Sequence, residues 1–323
     1  MPGTAGDAAL FGSSGVSREF PANLAESVRQ RLLNHARHQG EDFQVTLNNF
    51  LLERFLYRLS RSKVHDRFVL KGALLLRLWA EQPYRATLDL DLLRRGETDR
   101  DNVAKDIRAI CATAVEPDGV EFDARDLTLE PIREEQEYAG LRAGFTAKLG
   151  NARIRLQVDI GVGDAVWPAP RKHAYPAMLE FPAPHVLTYS REAVVAEKFE
   201  AMVVLGARNS RIKDFFDIHY LAMHFAFEGA ALAEAIRRTF DRRKTPLPQD
   251  VPVGLTEEYW KQAGRDAQLR AFVRRARVEV ASQKTSGIAP TLRKFLLPPW
   301  EALRDNNLFT QHWPAGGPWG KTQ

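Results

Sequence analysis

The chain has 323 residues, of which 44% are hydrophobic, and a formal net charge of +5 at neutral pH. This length and apolar content allow one large domain or two ordinary ones, and the mildly basic balance is compatible with a polyanionic partner. The single cysteine, Cys111, excludes an internal disulfide and a cysteine-based zinc site. No apolar run is long enough for a transmembrane helix and no secretory signal precedes the polar N-terminal region, so we expect a soluble, cytoplasmic protein.

Residues 1–19 are followed by two predicted helices. The first segment is rich in Gly, Ala and Ser and has no periodicity, so we expect it to be disordered. Apolar residues then recur at steps of three and four over 23–36 and again over 42–59. This spacing places them on one face of a helix and predicts two amphipathic helices that pack on a core.

A strand, a glycine break and a helix follow. The apolar run 68–70 predicts a buried strand, Lys71-Gly72 interrupts it, and 73–79 has a helical pattern. The first turn of a helix offers free N–H groups, Gly72 lets the backbone approach a ligand, and Lys71 adds a full positive charge. The segment therefore has the shape of a phosphate-binding loop, although a glycine before a helix is also common where nothing binds.

The segment 86–93 alternates acids and leucines. In a strand, alternate side chains share a face, so Asp89 and Asp91 point one way and the leucines point the other. Carboxylates side by side repel unless a cation lies between them, and Mg²⁺ prefers such oxygen ligands. The alternative is a half-buried strand whose acidic face is simply solvated.

A helix over 101–114 is followed by a β-hairpin. The segments 141–149 and 152–160 alternate apolar and polar residues and are joined by a two-residue Gly-Asn turn. Asp159 is the only acid on the polar face of the return strand. If that strand neighbours the acidic strand, three carboxylates converge, and such a set can hold two Mg²⁺ ions for in-line attack at phosphorus.

The second half is predicted to be helical, after a proline-rich crossing at 168–184. Helical spacing covers 191–205, 213–225, 228–242 and 256–282, and the chain is irregular from about residue 306.

Lys198 lies on the first of these helices, and Asp214 and Asp217 lie three residues apart on one face of the second. One interpretation is structural: Asp214 lies near the start of its helix, where the helix dipole favours an acid, and it forms an ion pair with Lys213 or Lys198. The other is that Lys198 reaches a nucleoside triphosphate while the two acids orient the lysine or the nucleotide.

Five motifs in one order carry a family resemblance. They are Phe68-Val-Leu-Lys-Gly-Ala73, Arg85-Ala-Thr-Leu-Asp-Leu-Asp91, Leu156-Gln-Val-Asp-Ile-Gly-Val-Gly-Asp164, Ala196-Glu-Lys-Phe-Glu-Ala201 and Arg211-Ile-Lys-Asp-Phe-Phe-Asp-Ile218. Over about residues 17–225 the chain resembles the AbiEii/AbiGii toxin family of nucleotidyltransferases, which includes the MenT toxins.

The resemblance implies an α+β fold, in which a polymerase-β-like nucleotidyltransferase core with a mixed sheet is followed by an α-helical C-terminal domain. We expect the following boundaries: a disordered N-terminus at 1–19, the nucleotidyltransferase domain with its leading helices at 20–165, the proline-rich crossing at 166–189, the helical domain at 190–306 and an irregular tail at 307–323.

The resemblance also implies roles for residues. The catalytic residues would be Asp89, Asp91, Asp159, Lys198 and Asp214, of which the three acids Asp89, Asp91 and Asp159 would bind metal. The nucleotide-binding residues would be Lys71, Gly72, Arg85, Thr87, Lys198 and Asp217. One departure is Ala73, where family members usually have a second glycine or a small hydroxyl residue. Alanine weakens triphosphate binding if the loop needs a positive φ there, and it is harmless if the position is simply the first helical residue.

The implied function is that of a Mg²⁺-dependent nucleotidyltransferase toxin of a toxin–antitoxin or phage-defence system. It would transfer nucleotides from an NTP to RNA, with a tRNA 3′ end as the expected acceptor. We expect a monomer with no membrane partner and with a separate antitoxin protein. The alternatives are nucleotidyl transfer to a small molecule or to a protein hydroxyl, and an inactive binding scaffold that retains the fold.

Three basic clusters are compatible with an RNA acceptor, because phosphate contacts of this kind give affinity without sequence choice. They are Arg142, Lys148, Arg153 and Arg155; Arg237, Arg238, Arg242, Arg243 and Lys244; and Arg270, Arg274, Arg275 and Arg277. Each cluster could equally be a solvated face of its helix or strand.

Overall fold

The protein is described by a computed structural model, which covers residues 23–80, 89–96, 99–132, 140–164, 166–262, 264–276 and 287–321. The segment 1–19, predicted to be disordered, and the predicted nucleotide-binding residues Arg85 and Thr87 lie outside these ranges. Within the ranges, no helix combines the length and the apolar character needed to cross a membrane.

Two helices open the described chain, close to their predicted positions. α1 (Leu24–Gln39) begins at a side-chain cap on Asn23 and ends at Gly40, which has a left-handed backbone conformation. α2 (Phe43–Arg61) begins at Asp42, whose carboxylate accepts hydrogen bonds from two backbone N–H groups. Every residue from 46 to 59 is buried, so α2 runs through the interior rather than along the surface.

Seven strands of the described chain form one mixed sheet. They are β1 (Phe68–Lys71), β2 (Leu90–Arg94), β3 (Val120–Ile132), β4 (Gly140–Leu149), β5 (Ala152–Val162), β6 (Arg171–Ala174) and β7 (His185–Thr188). Their order across the sheet is β3-β4-β5-β2-β1-β7-β6. β2 is parallel to β5 and β1 is parallel to β7, whereas the other neighbours are antiparallel. The mixed sheet of the predicted α+β fold is therefore confirmed.

The elements between these strands also follow the sequence. α3 (Leu74–Trp79) comes directly after the glycine break, and α4 (Arg100–Cys111) precedes the hairpin. β4 and β5 pair along their length around the predicted turn, where Gly150 has a φ of +58°. Ala143 and Phe145 of β4 are fully buried, as the alternation of apolar and polar residues requires.

The proline-rich crossing contributes β6 and β7 to the sheet, which the sequence does not predict. Each strand has only four residues, too few to establish a period of two among the surrounding prolines. β7 pairs with β1 through Val69 and Leu187. The crossing therefore extends the sheet and places β1 in its interior.

The second half is mainly helical, as predicted. Its helices are α5 (Arg191–Leu205), α6 (Ile212–His224), α7 (Gly229–Arg242), α8 (Glu257–Lys261), α9 (Arg265–Ala276) and α10 (Ile288–Arg304). The single helix predicted over 256–282 is wrong, because α8 ends at Lys261 and Gly264 has a left-handed φ of +88°. The sequence does not predict α10, since two consecutive prolines lie inside it, Pro298 and Pro299.

The C-terminal segment folds back onto this helical half. β9 (His312–Trp313) pairs with β8 (Phe227–Glu228), which joins α6 to α7. Trp313 is buried, and its indole N–H donates a hydrogen bond to the Ala222 carbonyl. Trp319 stacks on Phe295, with ring centroids 5.7 Å apart. Aromatic packing therefore holds a segment that has no periodic sequence pattern.

The two faces of the sheet have different neighbours. Leu90 and Leu92 of β2 and Val158 of β5 are fully buried, and α2 packs against β5 and β7 with α1 and α4 beside it. Side chains at the alternate positions, including Asp91 and Asp159, point to the opposite face. There they line a pocket together with residues of α5 and α6. The candidate site therefore lies between the sheet and the helical half.

Candidate active site

Asp91 and Asp159 occupy directly paired positions on neighbouring strands. β2 and β5 run parallel, with Leu90 opposite Val158 and Asp91 opposite Asp159. Neighbouring strands lie about 4.8 Å apart, so paired side chains on one face are close. The return strand of the hairpin therefore neighbours the acidic strand, which is the condition for the carboxylates to converge. Asp89 lies directly before β2 and is exposed.

The lack of a side chain on Gly72 makes space for the Asp91 carboxylate. Lys71 lies opposite Asp91 in the antiparallel ladder of β1 and β2, and Gly72 follows it with a φ of +72°. A Cβ atom on Gly72 would lie 2.0 Å from Oδ2 of Asp91. Ala73 has a φ of −69° and caps the start of α3, so alanine is unstrained there. Its departure from the family pattern therefore does not distort the loop.

The acids on this face of the sheet repel one another. The pKa of Asp91 is raised to about 6, chiefly by burial; Lys71 lowers it, and the carboxylates of Asp159 and Asp89 raise it. Lys213 of α6 adds a weaker opposing effect. The charge balance around Asp91 therefore favours a proton or another cation.

Two of the three acids are satisfied by neighbours on the hairpin. Arg142 donates to both oxygens of Asp159, with Nε–Oδ1 and Nη2–Oδ2 distances of 2.8 Å. The Gln157 side chain donates to Asp89 Oδ1 at 3.3 Å. Among the described residues, no group of three or more His, Cys, Asp or Glu side chains is arranged to hold a metal ion. The backbone thus brings the predicted metal acids together, but their side chains do not form a ready cluster.

The donor chemistry of these acids nevertheless fits Mg²⁺. Carboxylate oxygens are its usual protein ligands, and two or more carboxylates beside a phosphate site are a typical arrangement. Repulsion among Asp89, Asp91 and Asp159 is relieved by a divalent cation. These three residues would therefore hold the ion.

Lys71 is held by two acids that the sequence does not predict as site residues. Its Nζ lies 2.9 Å from Asp164 Oδ2 and 3.0 Å from Glu197 Oε2. Burial alone lowers the pKa of Lys71, but Glu197, Tyr189 and Asp164 together hold it well above its usual value. The Lys71 ammonium is therefore permanently charged at the base of the pocket.

Arg243 completes this buried network from α7. Its guanidinium lies 3.1 Å from Asp164 and 2.8 Å from Glu200, and its side chain is only 11% exposed. Burial raises the pKa of Asp164, but Lys71 and Arg243 lower it to about 2. Placing Arg243 in a basic surface cluster is therefore wrong, because its charge is enclosed by Asp164 and by two acids of α5, Glu197 and Glu200.

Lys198 is clamped by the two acids of α6. Its Nζ lies 2.5 Å from Asp214 Oδ1 and 2.9 Å from Asp217 Oδ2. Both acids reach the same lysine, so they share one helical face as predicted. The ion pair anticipated from the sequence is present.

These groups surround a cavity of about 400 Å³. The described residues that line it include six cationic side chains, Lys71, Arg142, Lys198, Arg211, Lys213 and Arg243, and five carboxylates, Asp89, Asp91, Asp159, Glu197 and Asp214. Tyr189 also lines the pocket, and burial together with the Glu197 carboxylate holds the pKa of its hydroxyl well above the usual value. A pocket of mixed charge suits an anionic ligand that arrives with a cation.

Most of the predicted basic clusters are neutralised within the protein. On the hairpin, Arg142 pairs with Asp159, Lys148 with Asp123 and Arg155 with Asp126. On α7, Arg237 pairs with Glu234 and Asp241, and Arg238 pairs with Glu234. In the third cluster, Arg277 lies outside the described residues. The clusters therefore give less unpaired positive surface than the sequence indicates.

A family model and two solved structures are similar to the chain. The family model described as nucleotidyl transferase AbiEii toxin, type IV toxin–antitoxin system, matches residues 54–305. The structure is similar to MenT4, a nucleotidyltransferase toxin from Mycobacterium tuberculosis H37Rv, at 18% identity and a TM-score of 0.47, covering 86% of this chain and 99% of that one. It is also similar to JHP933 from Helicobacter pylori, at 14% identity and a TM-score of 0.46, covering 82% and 95%. No curated protein sequence matches the chain.

The family match runs from α2 to the end of α10 and includes the whole pocket. The strand pairing of the acids, the glycine beside them and the clamped lysine all lie inside it. The chain therefore belongs to the AbiEii family of nucleotidyltransferase toxins of type IV toxin–antitoxin systems.

Proposed function

We propose that this enzyme uses Mg²⁺ and a nucleoside triphosphate to transfer a nucleotidyl group to RNA, with the 3′ end of a tRNA as the acceptor. The observation that carries the proposal is the pairing of Asp91 with Asp159 beside Gly72, facing a pocket with cations on its other walls. Family membership supplies the reaction class and implies an antitoxin partner. We further propose that the enzyme is a monomer.

In this proposal, Asp89, Asp91 and Asp159 hold the metal. Bound Mg²⁺ would neutralise the triphosphate and make the attacking hydroxyl more acidic. The absence of a Cβ on Gly72 leaves the space that the Asp91 carboxylate occupies. Lys71, fixed between Asp164 and Glu197, supplies a charge that cannot move away when the phosphates bind.

The transfer itself is a substitution at the α-phosphate. The oxygen of the acceptor hydroxyl forms a bond to that phosphorus, the bond to the β-phosphate oxygen breaks, and pyrophosphate leaves. The hydroxyl proton passes to the Asp159 carboxylate. Lys198, held by Asp214 and Asp217, places a charge on the opposite wall for the leaving phosphates. Arg85 and Thr87 stay predicted nucleotide-binding residues.

The test is transfer of label to RNA. The protein is incubated with Mg²⁺, total tRNA and each α-labelled NTP in turn, beside the Asp91→Asn variant. We expect label on tRNA with wild type and at least about a 1,000-fold loss with Asp91→Asn, because positioning and charge neutralisation supply most of this catalysis. The variant should unfold at the same temperature or higher, since removing the charge relieves repulsion at Asp91.

Two results would contradict the proposal. Equal labelling by wild type and Asp91→Asn would move the chemistry to another site. Label on protein or on a small molecule instead of RNA would favour the alternative acceptors. The dependence of KM on ionic strength also distinguishes the acceptor classes. The KM for a polyanionic acceptor rises steeply with ionic strength, whereas the KM for a small neutral acceptor does not.

A further inference from the structure

The ion pair between Arg142 and Asp159 is built into the sheet. The two residues are directly opposite each other in the antiparallel ladder of β4 and β5. Both oxygens of the carboxylate are engaged, by Nε and Nη2 of the guanidinium at 2.8 Å each. Asp159 is largely covered, whereas the Arg142 side chain is 44% exposed. The arginine is thus the more exposed partner of the pair.

A divalent cation at Asp159 would compete with this arginine. The cation needs at least one of the two oxygens that the guanidinium now occupies, and two positive groups at one carboxylate repel. The same carboxylate also raises the pKa of Asp91 through repulsion, so Asp159 belongs electrostatically to the acid set. Arg142 therefore supplies the positive charge that balances the Asp159 carboxylate.

Displacement would leave the guanidinium on the pocket wall. The Arg142 backbone is fixed by ladder pairing to β5 on one side and by pairing to Glu130 of β3 on the other. Asp89 is the other lining carboxylate that acts on Arg142 electrostatically, and it too is expected to be neutralised by metal. A planar guanidinium matches two oxygens of a phosphate as it matches a carboxylate.

We propose that Arg142 is a positioning residue with two successive partners, Asp159 before a divalent cation binds and a phosphate group of the substrates afterwards. The inference rests on the proposed function, since it requires Asp159 to receive the cation. Exchange between these partners would couple metal binding to phosphate binding. A cation on Asp159 releases Arg142 for a phosphate, and a phosphate on Arg142 leaves Asp159 open to the cation.

The first test measures metal binding alone. Mn²⁺ is titrated into the metal-free protein without nucleotide, and free Mn²⁺ is followed by electron paramagnetic resonance. Arg142→Gln should bind Mn²⁺ about 5- to 30-fold more tightly than wild type, the range expected when a bidentate competitor is removed. Arg142→Lys keeps the positive charge but loses the bidentate guanidinium. Its Mn²⁺ affinity should therefore lie between those of wild type and Arg142→Gln.

The matched control is Arg125→Gln. Arg125 also pairs with a carboxylate through Nε and Nη2, on Asp123 of β3, but outside the pocket. Its Mn²⁺ affinity should equal that of wild type. Thermal unfolding of all variants verifies that a change in affinity does not reflect loss of fold.

The second test separates the two sources of phosphate. With Mg²⁺ saturating, Arg142→Gln should raise the KM for NTP about tenfold if the arginine binds the nucleotide, or the KM for tRNA if it binds the acceptor backbone. An unchanged KM for both substrates would overturn the phosphate contact.

The outcomes also distinguish this inference from the proposed function. If Mn²⁺ binds wild type and Arg142→Gln equally, the competition is refuted and the metal site stands. If neither wild type nor Arg142→Gln binds Mn²⁺, the metal site itself is refuted and the inference falls with it.

Discussion

Gly72 is restricted to glycine by two independent constraints. Its φ of +72° lies in the left-handed region that side chains with a Cβ rarely adopt. The space a Cβ would need is filled by the carboxylate of Asp91, with 2.0 Å to Oδ2 and 2.6 Å to Cγ. The next residue, Ala73, has a φ of −69° and is under neither constraint.

Substitution of Gly72 should therefore damage the site more than the fold. We expect Gly72→Ala to lower the free energy of unfolding by about 1–3 kcal/mol and kcat by about 100-fold or more, because Asp91 must move by an ångström or so. Ala73→Gly is the control and should cost about 0.5–1 kcal/mol with kcat retained. Urea denaturation and initial rates of nucleotide transfer measure both quantities. A Gly72→Ala enzyme with normal kcat would show that Asp91 is not held against this glycine.

At the residue scale, the sequence predicts acids and lysines better than their partners. Asp91, Asp159 and Lys198 stand out because their spacing places them on strand edges and helix faces. Their counter-ions come from distant segments, as with Lys71, which is 93 residues from Asp164 and 126 from Glu197. No local pattern encodes such pairs, so the roles of Asp164, Glu197 and Arg243 could not be predicted.

At the element scale, α5 and α6 act as one unit around Lys198. The lysine projects from α5, and both of the acids that hold it project from α6. Asp217 is the more buried acid, with its side chain 1% exposed. The orientation of Lys198 toward the pocket therefore depends on how the two helices pack.

Removing one acid should misplace this lysine. We expect Asp217→Asn to lower kcat about 10- to 100-fold with a smaller change in the KM for NTP, because the charge remains but its position is less fixed. Asp241→Asn is the control, since Asp241 lies on the exposed face of α7 and pairs only with Arg237 among the ion pairs described. Steady-state kinetics separate kcat from KM. A rise in the KM for NTP with kcat unchanged would contradict this prediction. It would mean that Lys198 contributes equally to binding of the substrate and of the transition state.

Element prediction succeeds where a period runs for many residues. α1, α2, α5 and the hairpin of β4 and β5 lie close to their predicted bounds. β6 and β7 are too short to show a period, and α10 contains a proline pair that argues against a helix. These elements exist because of contacts made in three dimensions, such as the pairing of β7 with β1. Their stability comes from the assembled sheet and core rather than from local propensity.

At the scale of the whole molecule, Glu53 links the central helix to the crossing. It lies on α2, is almost fully buried, and accepts a hydrogen bond from the Met178 N–H at 2.8 Å. Burial raises the pKa of Glu53 to about 7, although Met178 and Arg54 lower it. The folded protein therefore holds a proton on Glu53 more tightly than the unfolded chain does.

This shift gives stability a defined dependence on pH. Between about pH 4.5 and 7 the folded state binds more protons at Glu53, so the contribution of this residue to stability falls as pH rises through that window. Glu53→Gln should therefore be more stable than wild type at pH 8, by on the order of 1–3 kcal/mol, and similar to it at pH 4.5. Glu180→Gln, at a side chain that is 98% exposed, is the control. Urea denaturation at several pH values tests this, and parallel stability curves for Glu53→Gln and wild type would contradict it.

The base of the pocket has a consequence for the synthesis of this toxin. Lys71 meets Asp164 93 residues later, and Asp164 meets Arg243 after another 79. At translation rates of about 5–20 residues per second, many seconds separate the appearance of the first of these groups from the last. During that interval the growing chain lacks Arg243, which closes the charge network beneath the pocket. This network can therefore form only after residue 243 of 323 has been added, so the catalytic pocket of a nascent chain is incomplete for most of its synthesis.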